Sequence, residues 1–297
     1  MKVGVTVPNN WGVEDAREML AMGPLAEQLG FDSVWVMDHL FHAGFVTERL
    51  GTKPYYHPLA VLSHLSATTS KVALGTAVLV LPYHDPIEMA KYYATLDHMS
   101  GGRVIAGVGV GSLAPEFAAL GVPMRERGAR TTEAIRLMQE LWTAGQPTFQ
   151  SARFDIKDVG FYPLPVQTPL PLWVGGTSAS AKKRAARYGN GWLPNNTKPE
   201  DYAAQADEVR AMAFEAGRDP AALTMSVLVQ AGVRGSVGGD ASHVAAIWAD
   251  DADAMRTLLQ GYRAVGVEHV VVAIGSGDIP LHRKAMETMA SVLDDVR

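Results

Sequence analysis

Apolar and polar positions along the chain fall into two patterns that alternate eight times. Short apolar runs lie at Val3–Val7, Ser33–Met37, Val72–Leu81, Val104–Gly109, Pro171–Gly175, Gly191–Pro194, Thr224–Ala231 and His269–Ile274. They lack the alternation of a half-exposed strand, so each reads as a strand buried on both faces, the habit of parallel sheets. Between them lie segments with helical spacing: Glu14–Leu29 (kinked at Pro24), His57–Thr69, Pro86–Met99, Glu126–Thr143, Ser178–Tyr188, Pro199–Ala216, Asp251–Val265 and Pro280–Val296. The clearest is Glu126–Thr143. There Ala134, Ile135, Met138, Leu141 and Trp142 make one stripe, and Arg130, Glu133, Arg136 and Glu140 lie mainly opposite. Residues 71–111 show the unit whole: a strand ending at Pro82, a helix opened by Pro86, the turn Ser100-Gly101-Gly102 and a second strand ending in glycines. Gly75-Thr76-Ala77, three small residues inside so apolar a strand, predict that something flat approaches the backbone there.

Eight strand–helix units in 297 residues predict a (β/α)8 TIM barrel with insertions, one domain over residues 1–297. An open doubly wound sheet would call for a switch point and a dinucleotide fingerprint, and neither is evident. Three stretches exceed ordinary connections: Leu40–Tyr56 after strand 2, Gly145–Leu170 before strand 5 with room for a short hairpin, and Gly232–Gly239 after strand 7. The first and third belong to the C-terminal face, where such barrels place their active sites.

Composition narrows the function. With 47% apolar residues the chain can bury a large core, so disorder is excluded. A net charge of −5 gives no reason to expect nucleic acid or an anionic membrane. The absence of cysteine removes disulfides, thiolate metal sites and a cysteine nucleophile. The start, MKVGVTVP, reads as a strand rather than a leader, and no apolar run approaches the roughly 20 residues that span a bilayer. The expectation is a cytoplasmic protein.

Polar residues directly after a barrel strand emerge at the mouth, and Asp38-His39 stands there after strand 2. A histidine so placed is either an acid–base group oriented by its neighbouring carboxylate or a strand-end residue bonded to a loop. His39 and His42 have a metal-like spacing, but no further ligands accompany them, so no metal is expected. Gly175-Gly176-Thr177-Ser178 closes strand 5 and opens a helix. Its N–H groups suit a phosphate, and Ser178 suits an N-cap; the two roles are compatible. Gly107-Val108-Gly109-Val110-Gly111 lacks the third glycine and the acidic residue of a dinucleotide loop. It reads as a strand needing small residues under a planar ligand, Gly109 among them. Gly111-Ser112 does not satisfy the nucleophile-elbow pattern. Tyr83, His84 and Asp85 follow strand 3; His84 reads as a solvated loop residue. Trp11, Trp35, Trp192 and Trp248 read as core or rim packing.

In their order, several of these segments resemble the luciferase-like flavin and deazaflavin oxidoreductases, within them most closely the branch that uses coenzyme F420. The matching pieces are Gly30–Trp35 with Asp38-His39, Leu74–Leu79, Ala94–Asp97, Ser100–Arg103, the glycines of 107–111, and Glu116 before Leu120-Gly121. Arg127, Arg130, Leu141-Trp142, Gly175–Ser178 and Arg187–Trp192 complete the series, which covers nearly the whole chain. The resemblance implies a (β/α)8 barrel and a non-proline cis peptide at Ala77–Val78. It further implies that Thr76, Ala77 and Val78 support the central ring of the cofactor, that Gly175–Ser178 hold its phosphate, and that His39 lies beside the ring, with Asp38 orienting it. One departure stands out: the sugar-phosphate dehydrogenase branch has a glutamate just after the fourth-strand glycines, where this chain has Ser112. Lys198, near a substrate-phosphate position of that branch, reads as a solvated residue.

The resemblance supports an F420-dependent oxidoreductase that passes a hydride between the deazaflavin and a small organic substrate. Two alternatives use the same features: an FMN-dependent two-component monooxygenase, and a cofactor-binding protein without turnover. Basic residues such as Lys182, Lys183 or Arg187 would favour the acidic tail of F420. The apolar helices His57–Thr69 and Pro86–Met99, with the habit of luciferase-like relatives, imply a homodimer.

Overall fold

A computed structural model describes residues 1–236 and 247–297. Among the described residues eleven strands are formed in chain order: β1 (Lys2–Thr6), β2 (Ser33–Val36), β3 (Ala73–Thr76), β4 (Leu79–Val80), β5 (Val104–Gly109), β6 (Phe149–Gln150), β7 (Asp155–Ile156), β8 (Leu172–Gly175), β9 (Gly191–Leu193), β10 (Thr224–Gly232) and β11 (His269–Gly275). The helices among the described residues are α1 (Ala16–Gln28), α2 (Phe45–Leu50), α3 (Pro58–Thr68), α4 (Pro86–Ser100), α5 (Ala114–Ala119), α6 (Arg127–Thr143), α7 (Ala179–Tyr188), α8 (Pro199–Glu215), α9 (Ala252–Ala264) and α10 (Ile279–Ala290).

The main sheet is parallel in the order β3-β2-β1-β11-β10-β9-β8-β5-β4, and β3 also pairs β5, which closes it on itself. Because β3 and β4 are two pieces of one strand position, the closed sheet is the eight-stranded (β/α)8 barrel the periodicity predicts. The predicted single strand Val72–Leu81 is thus corrected. It breaks at the cis Ala77–Val78 peptide, and Leu81–Tyr83 is a 3₁₀ turn rather than strand. The hairpin expected in Gly145–Leu170 is present as the antiparallel pair β6–β7. Helix α1 runs through Pro24. Of the glycine-rich stretch Gly232–Gly239, Gly238 and Gly239 lie outside the described residues.

Local chemistry sets these boundaries. Asp85 caps α4 by accepting from the N–H of Ile87 and Glu88, with Pro86 in the first turn, and Gly101 ends the helix at φ 69°. The apolar stripe of α6, with Leu137 added, is buried against the barrel. The apolar residues of α3 and α4, including Leu62, Leu65, Met89 and Tyr93, are also buried in the chain's own core, so they no longer speak for a second subunit.

Glu27, near the end of α1, fixes the entry to strand 3. Its carboxylate accepts from the N–H of Ser70 (2.9 Å), Lys71 (2.6 Å) and Val72 (3.0 Å). Burial pushes this carboxyl up, but the N–H groups of Lys71, Val72 and Ser70 outweigh it and hold it down to about 2, against an ordinary 4.5. A lowered folded-state value gives stability that is full above 4.5 and is lost as pH falls toward 2. Urea unfolding of Glu27→Gln and the parent, run between those limits, should therefore show a stability gap that is widest at neutral pH and closes toward pH 2. A gap independent of pH would show that the lowered carboxyl plays no part.

Candidate active site

Inside the barrel, below the mouth, Trp35 and Trp173 lie with ring centroids 5.3 Å apart, and His269 meets both edge-on. Ser33 Oγ accepts from Trp35 Nε1 and bonds His269 Nε2, each at 2.7 Å. His269 is fully enclosed, and burial holds it down to about 3, so it is a neutral packing group. The indole of Trp35 occupies the space over Gly75, where an added Cβ would come within 2.2 Å of the ring. The flat object predicted to approach Gly75 is therefore the protein's own tryptophan. These rings floor the mouth.

Successive residues of an extended chain point to opposite sides. On strand 2 this places Trp35 and Met37 with the interior cluster, and Val34 and Val36 with the helix-facing core. Past the strand end, His39 and Asp38 take different partners. His39 Nδ1 bonds Glu116 Oε2 at 2.6 Å. Glu116, wholly buried on α5, also accepts from Tyr83 Oη (3.0 Å) at the same oxygen and from the N–H of Leu40 (2.8 Å) and Phe41 (3.0 Å) at the other. Burial pushes its carboxyl up, but the bonds from His39, Phe41 and Leu40 and the His39 charge prevail, so it is held below its ordinary value and stays ionised. An ionised acceptor at Nδ1 makes that nitrogen the N–H donor, which leaves Nε2 free to give or take a proton.

The expected pairing of Asp38 with His39 is corrected. Asp38 Oδ2 accepts from the N–H of Val80 (2.9 Å) and bonds His84 Nε2 (2.8 Å), while its Oδ1 is buried with no partner among the described residues. His84 is likewise no solvated loop residue: its side chain is 8% exposed.

The insertion Leu40–Tyr56 folds over this pair. Asn9 holds both its ends, donating from Nδ2 to the carbonyls of Met37 and Tyr56, each at 2.8 Å. Between the ends, Phe45 and Tyr55 meet the His39 ring edge-on, at 5.4 and 5.9 Å. Arg49 stacks its guanidinium over Trp11 at 4.6 Å.

Across the mouth, the two methyl groups of Val78 fill the places where side chains on Gly109 and Gly175 would stand. An added Cβ would lie 2.4 Å from Val78 at Gly109 and 2.8 Å at Gly175. These glycines make a seat for Val78, so Gly109 serves the mouth through that side chain. Thr76 is corrected as a contact residue. It is fully buried, its hydroxyl donating to the Gly107 carbonyl (2.7 Å) and bonding Tyr93 Oη (2.9 Å). At the end of strand 5, Gly176 has φ +107° and spends its N–H on the Leu193 carbonyl. Ser178 caps α7 by accepting from Ala181 N–H at 3.2 Å. Thr177 and Ser178 are exposed, and among the described residues their N–H groups have no backbone partner. Lys182 is tied to Glu208 at 2.6 Å and is not available to a cofactor tail. Lys198 is exposed, as expected. At the opposite end of the barrel a hollow of about 590 Å³ is lined by Lys2, Arg103, Gln167 and His269 among others, on the face that serves stability in such barrels.

Fold and mouth together define a class: closed parallel barrels in which a histidine backed by a buried carboxylate faces an apolar shelf and a helix start. The chain belongs to the luciferase-like monooxygenase family, whose model matches residues 1–270. It is 40% identical over 190 residues to an F420-dependent glucose-6-phosphate dehydrogenase of Beutenbergia cavernae, covering 61% of this chain and 53% of that protein. To the enzyme of the same name from Microbacterium testaceum it is 35% identical over 213 residues, 67% of this chain and 60% of that one. The chain thus spans little more than half the length of these curated relatives. A solved F420-dependent secondary alcohol dehydrogenase in complex with an F420-acetone adduct superposes with a TM-score of 0.81 over 100% of this chain and 99% of its own, at 22% identity, a likeness of fold. Among the described residues no helix is long and apolar enough to cross a membrane.

Glu116 and His84 lay outside the predicted site. Glu116 stands 77 positions from His39, beyond the reach of any local pattern. The signal that could have found it is a lone acid between Pro115 and Phe117, a charge that must be paired if buried. Glu116→Gln turns an amide N–H₂ toward the donors of His39 and Tyr83. It should lower stability by about 2–3 kcal/mol and move the His39 proton from Nδ1 to Nε2. Nitrogen NMR of the ring reads the second effect, and an unchanged tautomer would refute the assigned pairing.

Proposed function

We propose that this chain is an F420-dependent oxidoreductase, passing a hydride between the deazaflavin and a small organic substrate held at the barrel mouth. The observation that carries this reading is the His39–Glu116 pair at the mouth end of strand 2, on the same barrel mouth as Val78 seated on Gly109 and Gly175 and the Thr177-Ser178 N–H groups without a backbone partner. Ala77 and Val78 would support a flat ring, and Gly175, Gly176, Thr177 and Ser178 would shape and hold its phosphate. The buried, unpartnered Oδ1 of Asp38 is an acceptor for a ring N–H or hydroxyl. The names of the two sequence relatives favour F420 over FMN.

The cofactor, when bound, supplies and accepts the hydride. The chain orients the reactants, keeps water out beneath Phe45 and Tyr55, and handles one proton at His39 Nε2. With Glu116 ionised beneath it, His39 can carry a positive charge without leaving its place. We assign the protein to the cytoplasm, and to a homodimer on the family habit, which light scattering tests.

Titration of the purified chain with F420 and with FMN, followed by fluorescence, should give saturable F420 binding and weaker FMN binding. Tighter FMN binding, with oxygen uptake on adding reduced FMN, would move the protein to the monooxygenase reading. His39→Ala should slow F420 reduction or oxidation by roughly 10²–10⁴-fold. A variant that keeps full turnover would leave His39 outside the chemistry.

A further inference from the structure

The insertion Leu40–Tyr56 carries two hydrogen-bond donors that have no acceptor among the described residues. Among the described residues, Arg49 Nε is buried and unpartnered, and its guanidinium enters no ion pair. Its one face is covered by Trp11 (4.6 Å), and Phe45 stands at 5.9 Å. Tyr55 Oη is also buried and unpartnered. Burial, then the charges of Asp38 and Glu116, push this phenol well up despite the opposing pull of Arg49, so it remains an O–H donor. Leaving a buried guanidinium N–H and a buried hydroxyl unpaired is costly, and folded proteins usually complete such donors with a protein group, an ordered water or a ligand.

The neighbouring carboxylates do not complete it. Both oxygens of Glu116 are taken by His39, Leu40, Phe41 and Tyr83. Asp38 is turned toward Val80 and His84, and its remaining oxygen bonds neither donor. Among the described residues no acceptor completes the set, which leaves both donors open to a molecule bound from outside. One planar cation and one neutral hydroxyl between aromatic faces match a planar, singly charged group able to accept at two oxygens. A phosphate dianion would bring a second charge beside Asp38 and Glu116.

We propose that Arg49 and Tyr55 form the specificity site of this chain and bind the carboxylate of a small organic substrate, whose reacting carbon then lies beside His39. This deepens the oxidoreductase reading and rests on it for the word substrate; the carboxylate site stands without it.

The test uses the full chain labelled with nitrogen-15 at arginine, with the Arg49 Nε–H signal assigned by its loss in Arg49→Lys. Titration with sodium acetate should move that signal saturably, acetamide should leave it in place, and inorganic phosphate should bind more weakly than acetate. Tyr55→Phe, which removes only the hydroxyl, should weaken acetate binding by about three- to tenfold. A signal unmoved by acetate, or moved equally by acetamide, overturns the proposal, and tighter phosphate binding overturns the carboxylate assignment. F420 titrated into the same sample separates the two readings. If F420 binds and Arg49 ignores acetate, this proposal alone falls. If acetate binds and F420 does not, the cofactor reading falls and the carboxylate site remains.

Discussion

The structure turns on the indole of Trp35. Its ring fills the barrel interior against Trp173 and His269, and it fits because Gly75 on the next strand offers no side chain. Two glycines permit the tight closure of strand 3 on strand 4. An added Cβ at Gly75 would strike the ring, and one at Gly107 would come within 1.8 Å of the Thr76 carbonyl. These rings separate the mouth from the hollow at the opposite end of the barrel. The alternation of strand 2 places Trp35 in the interior cluster, with Met37 packed against it, and His39 and Asp38 follow at the strand's mouth end.

Buried polar groups at the mouth divide into two kinds. Glu116, Thr76 and Asn9 are saturated by protein partners, and each joins segments far apart in sequence. Among the described residues Asp38 Oδ1, Arg49 Nε and Tyr55 Oη are not, and neither are Asn10 Oδ1 beside Met37 and, away from this region, His282 Nε2. Saturated groups fix the shape, because breaking any one leaves a desolvated donor or acceptor behind. The unsaturated ones around His39 are where a molecule from outside can recover bonds the chain does not make. A folded chain tolerates a few such positions, and here they gather where the chemistry is placed.

Much of the architecture was legible because parallel barrel strands announce themselves as unbroken apolar runs, and β1, β2, β5, β10 and β11 lie where those runs lie. Strand 3 was overextended, since an apolar run does not reveal that its backbone turns at Ala77–Val78. The short helices α2 and α5 went unread, being too brief for periodicity. At the mouth, Asp38-His39 and Gly175–Ser178 were visible as residues but not as pairings. Adjacent positions invite a bond between Asp38 and His39, yet each side chain is bonded elsewhere. The true partners, Glu116 and His84, reach the site through folding over 77 and 46 positions. His84 sits in a sequence indistinguishable from a wet loop.

The clamp formed by Asn9 has a consequence for how such a protein can diversify. One amide grips the chain where it leaves strand 2 and again where it returns at Tyr56, and Glu116 anchors the first residues of the excursion. The stretch between is therefore a replaceable cassette. The cap at Ser178 and the glycines under Val78 belong to other segments. Descendants of one ancestor could thus acquire new appetites by rewriting a dozen or so codons, while the far wall of the mouth passes down intact.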